Sequence, residues 1–261
     1  MNEAQERIDK NMLDTIVAQL DEIERREDIR ILHAVESGSR AWGFESPDSD
    51  YDVRFIYVCR REDYLKLEKT RDVIEWQLDA LLDINGWDLR KALRLLRNSN
   101  PTFFEWCNSP IVYKTTPTWS VISQEIGNYF LRRTGLHHYL NMATGNNRKY
   151  LQGETVKLKK YFYVLRPLLA CKWIVDKNCP PPMLFSDLVE AELEPEMRSV
   201  VDDLLLRKAA TSEIGESKRI DVLTAYIDTT VAGLQEAINE LPPDSKASWE
   251  RLNQLFMEAI G

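Results

Sequence analysis

The run Tyr51-Asp52-Val53-Arg54-Phe55-Ile56-Tyr57-Val58, with Asp50 just ahead of it, constrains this chain more than any other feature. Aromatic and β-branched residues dominate the run, so it reads as a strand of a buried sheet. Side chains two apart on a strand point to the same face, so Asp50 and Asp52 emerge together at its head. Two carboxylates held that close repel each other unless a cation lies between them. Magnesium is the natural partner, because it takes one or two carboxylates together with phosphate oxygens and water. One or two such ions would activate an attacking hydroxyl and stabilise a leaving pyrophosphate.

Ser37-Gly38-Ser39 precedes the acids across a ten-residue loop and follows a short apolar stretch, Ile31–Val35, that fits another strand. Gly38 allows the backbone to approach a phosphate closely. The Ser39 hydroxyl and neighbouring N–H groups would bond triphosphate oxygens, and Arg40 adds a cation at the same place. Taken alone, an Asp-x-Asp or a Gly-Ser is common in surface turns. The ordered series of strand, Gly-Ser, loop and Asp-x-Asp opening an apolar strand is far more specific.

Elsewhere the pattern predicts a helix over 3–26, strands near 73–76 and 81–85, a helix over 87–97 ended by Asn100-Pro101, and a strand at 111–113. From about Pro117 helical periods dominate, at 118–132, 136–150, 154–177, 186–208 and 218–240, with a tail helix after Ser245. The expected class is therefore α+β: a small mixed-sheet domain over 1–115 and a helical, bundle-like domain over 116–261.

Composition limits the partners. The 261 residues carry a net charge of −8, so a broad cationic surface for a long duplex is excluded. A nucleoside triphosphate, an RNA end or a protein acceptor suits the chain better. The four cysteines form no CxxC pair and only three histidines exist, which argues against structural zinc. His137 and His138 are adjacent on a helix and do not face one point. Scattered cysteines, no signal-peptide pattern and no run of membrane-span length together predict a cytoplasmic protein.

Ser37-Gly38-Ser39-Arg40-Ala41-Trp42-Gly43, followed by Ser49-Asp50-Tyr51-Asp52-Val53-Arg54, resembles the signature of polymerase-beta-like nucleotidyltransferases. More narrowly it is similar to a bacterial group linked to RNA repair, which shares stretches like Asp83–Lys91 and Lys159–Pro167. The resemblance implies magnesium-dependent transfer of a nucleoside monophosphate from a triphosphate to an undefined acceptor. Gly38, Ser39, Arg40 and Ser49 would lie on the nucleotide side. It also implies a third acid on a neighbouring strand, for which Asp83, Glu75 and Asp79 are the candidates. Asp83 is preferred because it stands just before the Gly86-Trp87-Asp88-Leu89-Arg90 helix start, with Asp88 read as the helix cap. Asp83 would serve as general base or metal ligand.

On the helix over 154–177, Lys159, Tyr163 and Arg166 share one face, and Lys160 borders it. Such a strip can hold phosphates, with Tyr163 stacking on a base; the plainer reading is a solvated face or ion pairs with the abundant acids. Two other classes stay open. One is a catalytically silent nucleotide-sensing or protein-interaction module. The other is a phosphohydrolase, which the scarcity of histidine disfavours.

Overall fold

The computed structural model describes residues 8–46, 49–68, 70–77, 81–210 and 216–261. Asp9 opens α1 (Lys10–Glu27) by accepting the N–H groups of Asn11 and Met12. Residues 3–7 of the expected first helix lie outside the described residues. Then come β1 (Arg30–Glu36), the short α2 (Gly38–Trp42), β2 (Tyr51–Val58), α3 (Arg61–Tyr64), β3 (Val73–Gln77) and β4 (Leu82–Asp88). α4 (Leu89–Arg97), α5 (Pro101–Cys107), β5 (Val112–Thr115) and α6 (Pro117–Ser123) follow, with a 3-10 turn at Ile126–Tyr129. The remainder is α7 (Arg132–Tyr150), β6 (Thr155–Lys157), α8 (Lys159–Lys177), α9 (Phe185–Glu192), α10 (Pro195–Ala210), β7 (Glu216–Lys218), α11 (Asp221–Glu240) and α12 (Glu250–Ile260). The chain is thus α+β, as its pattern predicts. No described helix is long and apolar enough to cross a membrane.

The main sheet runs β3-β4-β2-β1-β5. β2 and β4 are parallel, and the other neighbours are antiparallel. The parallel pair sets Asp52 opposite Asp83 and Arg54 opposite Asn85. One face of β2 buries Tyr51, Val53 and Phe55 in a core with Ile16, Leu20 and Ile23 of α1 and Ile84 of β4. The other face carries Asp52 and Arg54.

Two compact units divide the chain. One comprises Met1–Ala41, Asp50–Tyr129 and Lys246–Gly261; the other comprises Trp42–Ser49 and Phe130–Ser245. The expected boundary at 115/116 falls inside the first unit, to which the tail helix α12 also belongs. The second unit packs α7, α8, α9 and α11 around a core that includes Phe44, Phe162, Leu165, Leu169 and Phe185. Pro167 lies inside α8 and has no N–H, so the Tyr163 carbonyl loses its helical donor. The amide of Asn146 on α7 donates to that carbonyl instead, at 3.1 Å.

Several elements differ from the sequence expectation. Asn100-Pro101 ends α4 but also starts α5: Asn100 accepts the Phe103 N–H at 3.1 Å and Pro101 takes the first helical position. The expected helix over 186–208 is two helices, parted before Pro195. The expected helix over 154–177 begins only at Lys159, because Thr155–Lys157 pairs with Glu216–Lys218. Asp88 caps α4, as read: its carboxylate accepts the Arg90 N–H at 2.8 Å and the Tyr64 hydroxyl at 2.6 Å.

Candidate active site

The end of β1 and the heads of β2 and β4 bring the acids together. Glu36, the last residue of β1, is fully buried. Its Oε1 accepts the backbone N–H of Asp52 at 2.8 Å, and its Oε2 accepts the Tyr113 hydroxyl at 2.5 Å. The Ser37 N–H donates to the Asp52 carbonyl at 2.8 Å, and the Ser109 hydroxyl donates to the Glu36 carbonyl at 2.6 Å. Burial pushes the Glu36 carboxyl up to about 7; the two hydrogen bonds oppose the rise, and the charge of Asp52 adds to it.

Gly38 follows with φ at 62°, in the left-handed region. A Cβ there would lie 2.1 Å from Asp52 Oδ2. Any side chain there is strained on both counts, by the left-handed backbone and by the contact with Asp52. The bare backbone of the Gly-Ser motif therefore rests directly against the second acid of the Asp-x-Asp pair.

Arg54 closes the other side. Its Nη2 donates to Asp52 Oδ1 at 2.7 Å and to Asp83 Oδ2 at 2.8 Å. Its Nη1 donates to the carbonyls of Val53 at 3.0 Å and Asp83 at 3.1 Å. The carboxyl of Asp52 is raised above its ordinary range, chiefly by burial; Arg54 pulls it down, while the charges of Asp50 and Asp83 push it up. Asp50 is exposed just before β2. Arg40 donates to the Asp50 carbonyl at 3.1 Å and lies 3.8 Å from the Tyr51 ring centroid.

Among the candidates for a third acid, Asp83 stands beside Asp52 across the parallel pair. Glu75 is exposed on β3, one strand further away and opposite Asn85. Asp79 lies outside the described residues. Among the described residues, no three His, Cys, Asp or Glu side chains converge on one point as they lie. The chemistry of the donor set suits magnesium: two hard carboxylates on adjacent strands and an exposed third just before β2.

The remaining expected nucleotide contacts belong to the second unit. The Ser49 hydroxyl is 3.1 Å from that of Ser46 and accepts the Ser46 N–H at 2.9 Å. Lys159 is exposed. Lys160 lies 4.2 Å from the Tyr150 ring centroid and 4.7 Å from that of Tyr163. Arg166 is 2% exposed; its guanidinium stacks on Trp42 at 4.6 Å, and its Nη2 donates to the Met183 carbonyl at 3.4 Å. Trp42 also meets Tyr163 edge-on. Trp42 of the signature and Phe44 just after it thus pack into the core of the second unit.

Sequence reasoning passed over Glu36, Arg54 and Tyr113. Two signals were there to be read. Glu36 is an acid closing an apolar strand, and Arg54 continues the two-residue period of Asp50 and Asp52.

The model of the RNA repair pathway DNA polymerase beta family, RlaP, matches residues 12–258. An uncharacterized protein of Bacillus subtilis (strain 168), YcgL, is 45% identical over 251 residues, covering 95% of this chain and 96% of the relative. A solved nucleotidyltransferase-like protein from Exiguobacterium sibiricum aligns over 87% of this chain and 74% of its own, at 15% identity and a TM-score of 0.32, too low to carry an argument. The family match spans the Gly-Ser turn, the acid pair and both units, so the chain belongs to the RNA repair pathway DNA polymerase beta family.

Proposed function

We propose that this protein is a magnesium-dependent nucleotidyltransferase that moves a nucleoside monophosphate from a triphosphate to an acceptor hydroxyl. One observation carries the reading: Asp52 and Asp83 stand side by side across two parallel strands while bare Gly38 backbone presses on Asp52. Bound magnesium would neutralise charge on the triphosphate and on the attacking oxygen. Asp50, Asp52 and Asp83 are the residues that would hold it. Gly38 carries no side chain of its own, and the Ser39 hydroxyl and Arg40 supply a donor and a charge for phosphate oxygens. Asp83, about half exposed, would take the proton of the acceptor hydroxyl. Ser49, Lys159, Lys160, Tyr163 and Arg166 belong to the second unit and are nucleotide-binding candidates by the sequence resemblance alone; within that unit Arg166 stacks on Trp42, which meets Tyr163 edge-on. The family's link to RNA repair makes an RNA end the first acceptor to try, with proteins and small molecules next.

Calorimetry with each of the four nucleoside triphosphates and magnesium tests the reading. Wild type should bind at least one, and the Asp50→Ala/Asp52→Ala double variant should not. Absence of binding, or binding that survives the double substitution, sinks the proposal. Labelled triphosphate incubated with RNA and protein acceptors then separates a transferase, which passes label on, from a silent sensor, which does not.

A further inference from the structure

We propose that Arg54 is the resident counter-cation of the acid pair, holding Asp52 and Asp83 together and restraining divalent-metal binding until a nucleotide arrives. The inference rests on the acid site proposed above. It is carried by four hydrogen bonds. One nitrogen, Nη2, spans both carboxylates, and the other, Nη1, is fixed by two backbone carbonyls. The side chain is 17% exposed, so its position is set by the sheet and not by solvent.

The charges follow. A guanidinium stays protonated in any folded protein, so this cation is permanent. It offsets one of the two negative charges that the strands force together. A divalent ion approaching Asp52 Oδ1 or Asp83 Oδ2 meets an oxygen already engaged by Arg54 and a like charge a few ångströms off. Repulsion of that kind weakens binding of the bare ion strongly in a partly buried site. A triphosphate brings several negative charges and its own oxygen ligands, and so reverses the balance. Metal and nucleotide would then enter as a coupled pair, and each would raise the other's affinity by the same factor. A compact ammonium cannot span both acids while gripping two carbonyls, so Arg54→Lys should keep the charge but loosen the bridge.

The test is Mn2+ binding, read by electron paramagnetic resonance on chelator-stripped protein, first without nucleotide and then with a nucleoside triphosphate added. Wild type, Arg54→Gln, Arg54→Lys, Asp52→Asn and Asp52→Asn/Arg54→Gln are compared, with thermal melting of each. Arg54→Gln should bind Mn2+ about tenfold more tightly than wild type, or better. Its metal-free protein should melt lower, and Mn2+ should restore the loss. Arg54→Lys should fall between the two. The double variant should lose the gain, which locates the ion on the acid pair. Unchanged or weaker Mn2+ binding by folded Arg54→Gln overturns the proposal. Should that variant fail to fold, unchanged binding by Arg54→Lys overturns it equally. The two readings fail separately. If Mn2+ binds with nucleotide in wild type but not in Asp52→Asn, the transferase site stands whatever Arg54 does. If no variant takes Mn2+ under either condition, both fall.

Discussion

Replacing Glu36 by Gln isolates one buried charge beneath the acid site. In the folded chain its carboxyl titrates at about 7, against an ordinary 4.5. A raised acid favours its protonated form in the fold. Its stabilising contribution is therefore complete below about pH 4.5 and is lost as pH rises through about 7. A difference of about 2.5 pH units corresponds to about 3 kcal/mol. Gln cannot ionise, yet it can keep both hydrogen bonds. Its oxygen accepts the Asp52 N–H, and its amide donates to Tyr113, whose own hydroxyl proton is free to turn elsewhere. Near pH 5 the two proteins should match within about 1 kcal/mol; by about pH 8.5 the variant should be the more stable by up to about 3 kcal/mol. Asp52, also raised, drives stability the same way in both proteins, so the difference between them reports Glu36. Urea unfolding in chelator across that range measures it. Parallel stability curves for the two proteins would refute the reasoning, because they would mean that Glu36 is not forced toward its neutral form by the fold.

Gly38→Ala should cost about 1–3 kcal/mol by denaturation and abolish magnesium–triphosphate binding, since the new methyl lands on the Asp52 carboxylate in a left-handed backbone. Retained binding would show that the close approach has no part in holding the nucleotide. Gly86→Ala drives a Cβ to within 2.2 Å of the Phe55 ring and should cost about 1–3 kcal/mol; a loss under about 0.5 kcal/mol would mean the ring swings aside freely. His33 is buried against Trp119, and burial lowers its imidazole to about 4. A depressed base contributes stability above about pH 6.5 and loses it as pH falls through about 4, so His33→Phe, which can still stack on Trp119, should resist acid unfolding better by up to about 3 kcal/mol. An unmoved acid midpoint would assign the acid lability to other groups.

What the sequence disclosed about the site divides along a physical line. Periodicity tells which side chains share a face, and by that rule Asp52 and Arg54 lie together on one face of β2. Local chemistry tells where a helix starts, so Asp88 could be read as a cap. The same rule applied to Asn100 would have found α5, but a proline there reads first as a breaker, and its use at a first helical turn is easily missed. The helical pattern over 154–177 concealed β6 for another reason. A three-residue strand pairs with a segment some sixty residues later, and no local signal records that partner.

Choosing the third acid is the sharpest case of that limit. Glu75 and Asp83 look alike in sequence, each an acid among apolar residues of a short strand. They belong to one antiparallel pair, β3–β4, so both are bound for the same sheet. What separates them is which strand of the pair lies next to β2. That is a long-range decision, made by a crossover between strands more than twenty residues apart. With β4 inside, parallel register puts Asp83 level with Asp52 and leaves Glu75 on an exposed edge, opposite Asn85. With β3 inside, Asp83 would be the remote acid and Arg54 would lose its second carboxylate. The bridge by Arg54 therefore depends on the strand order itself.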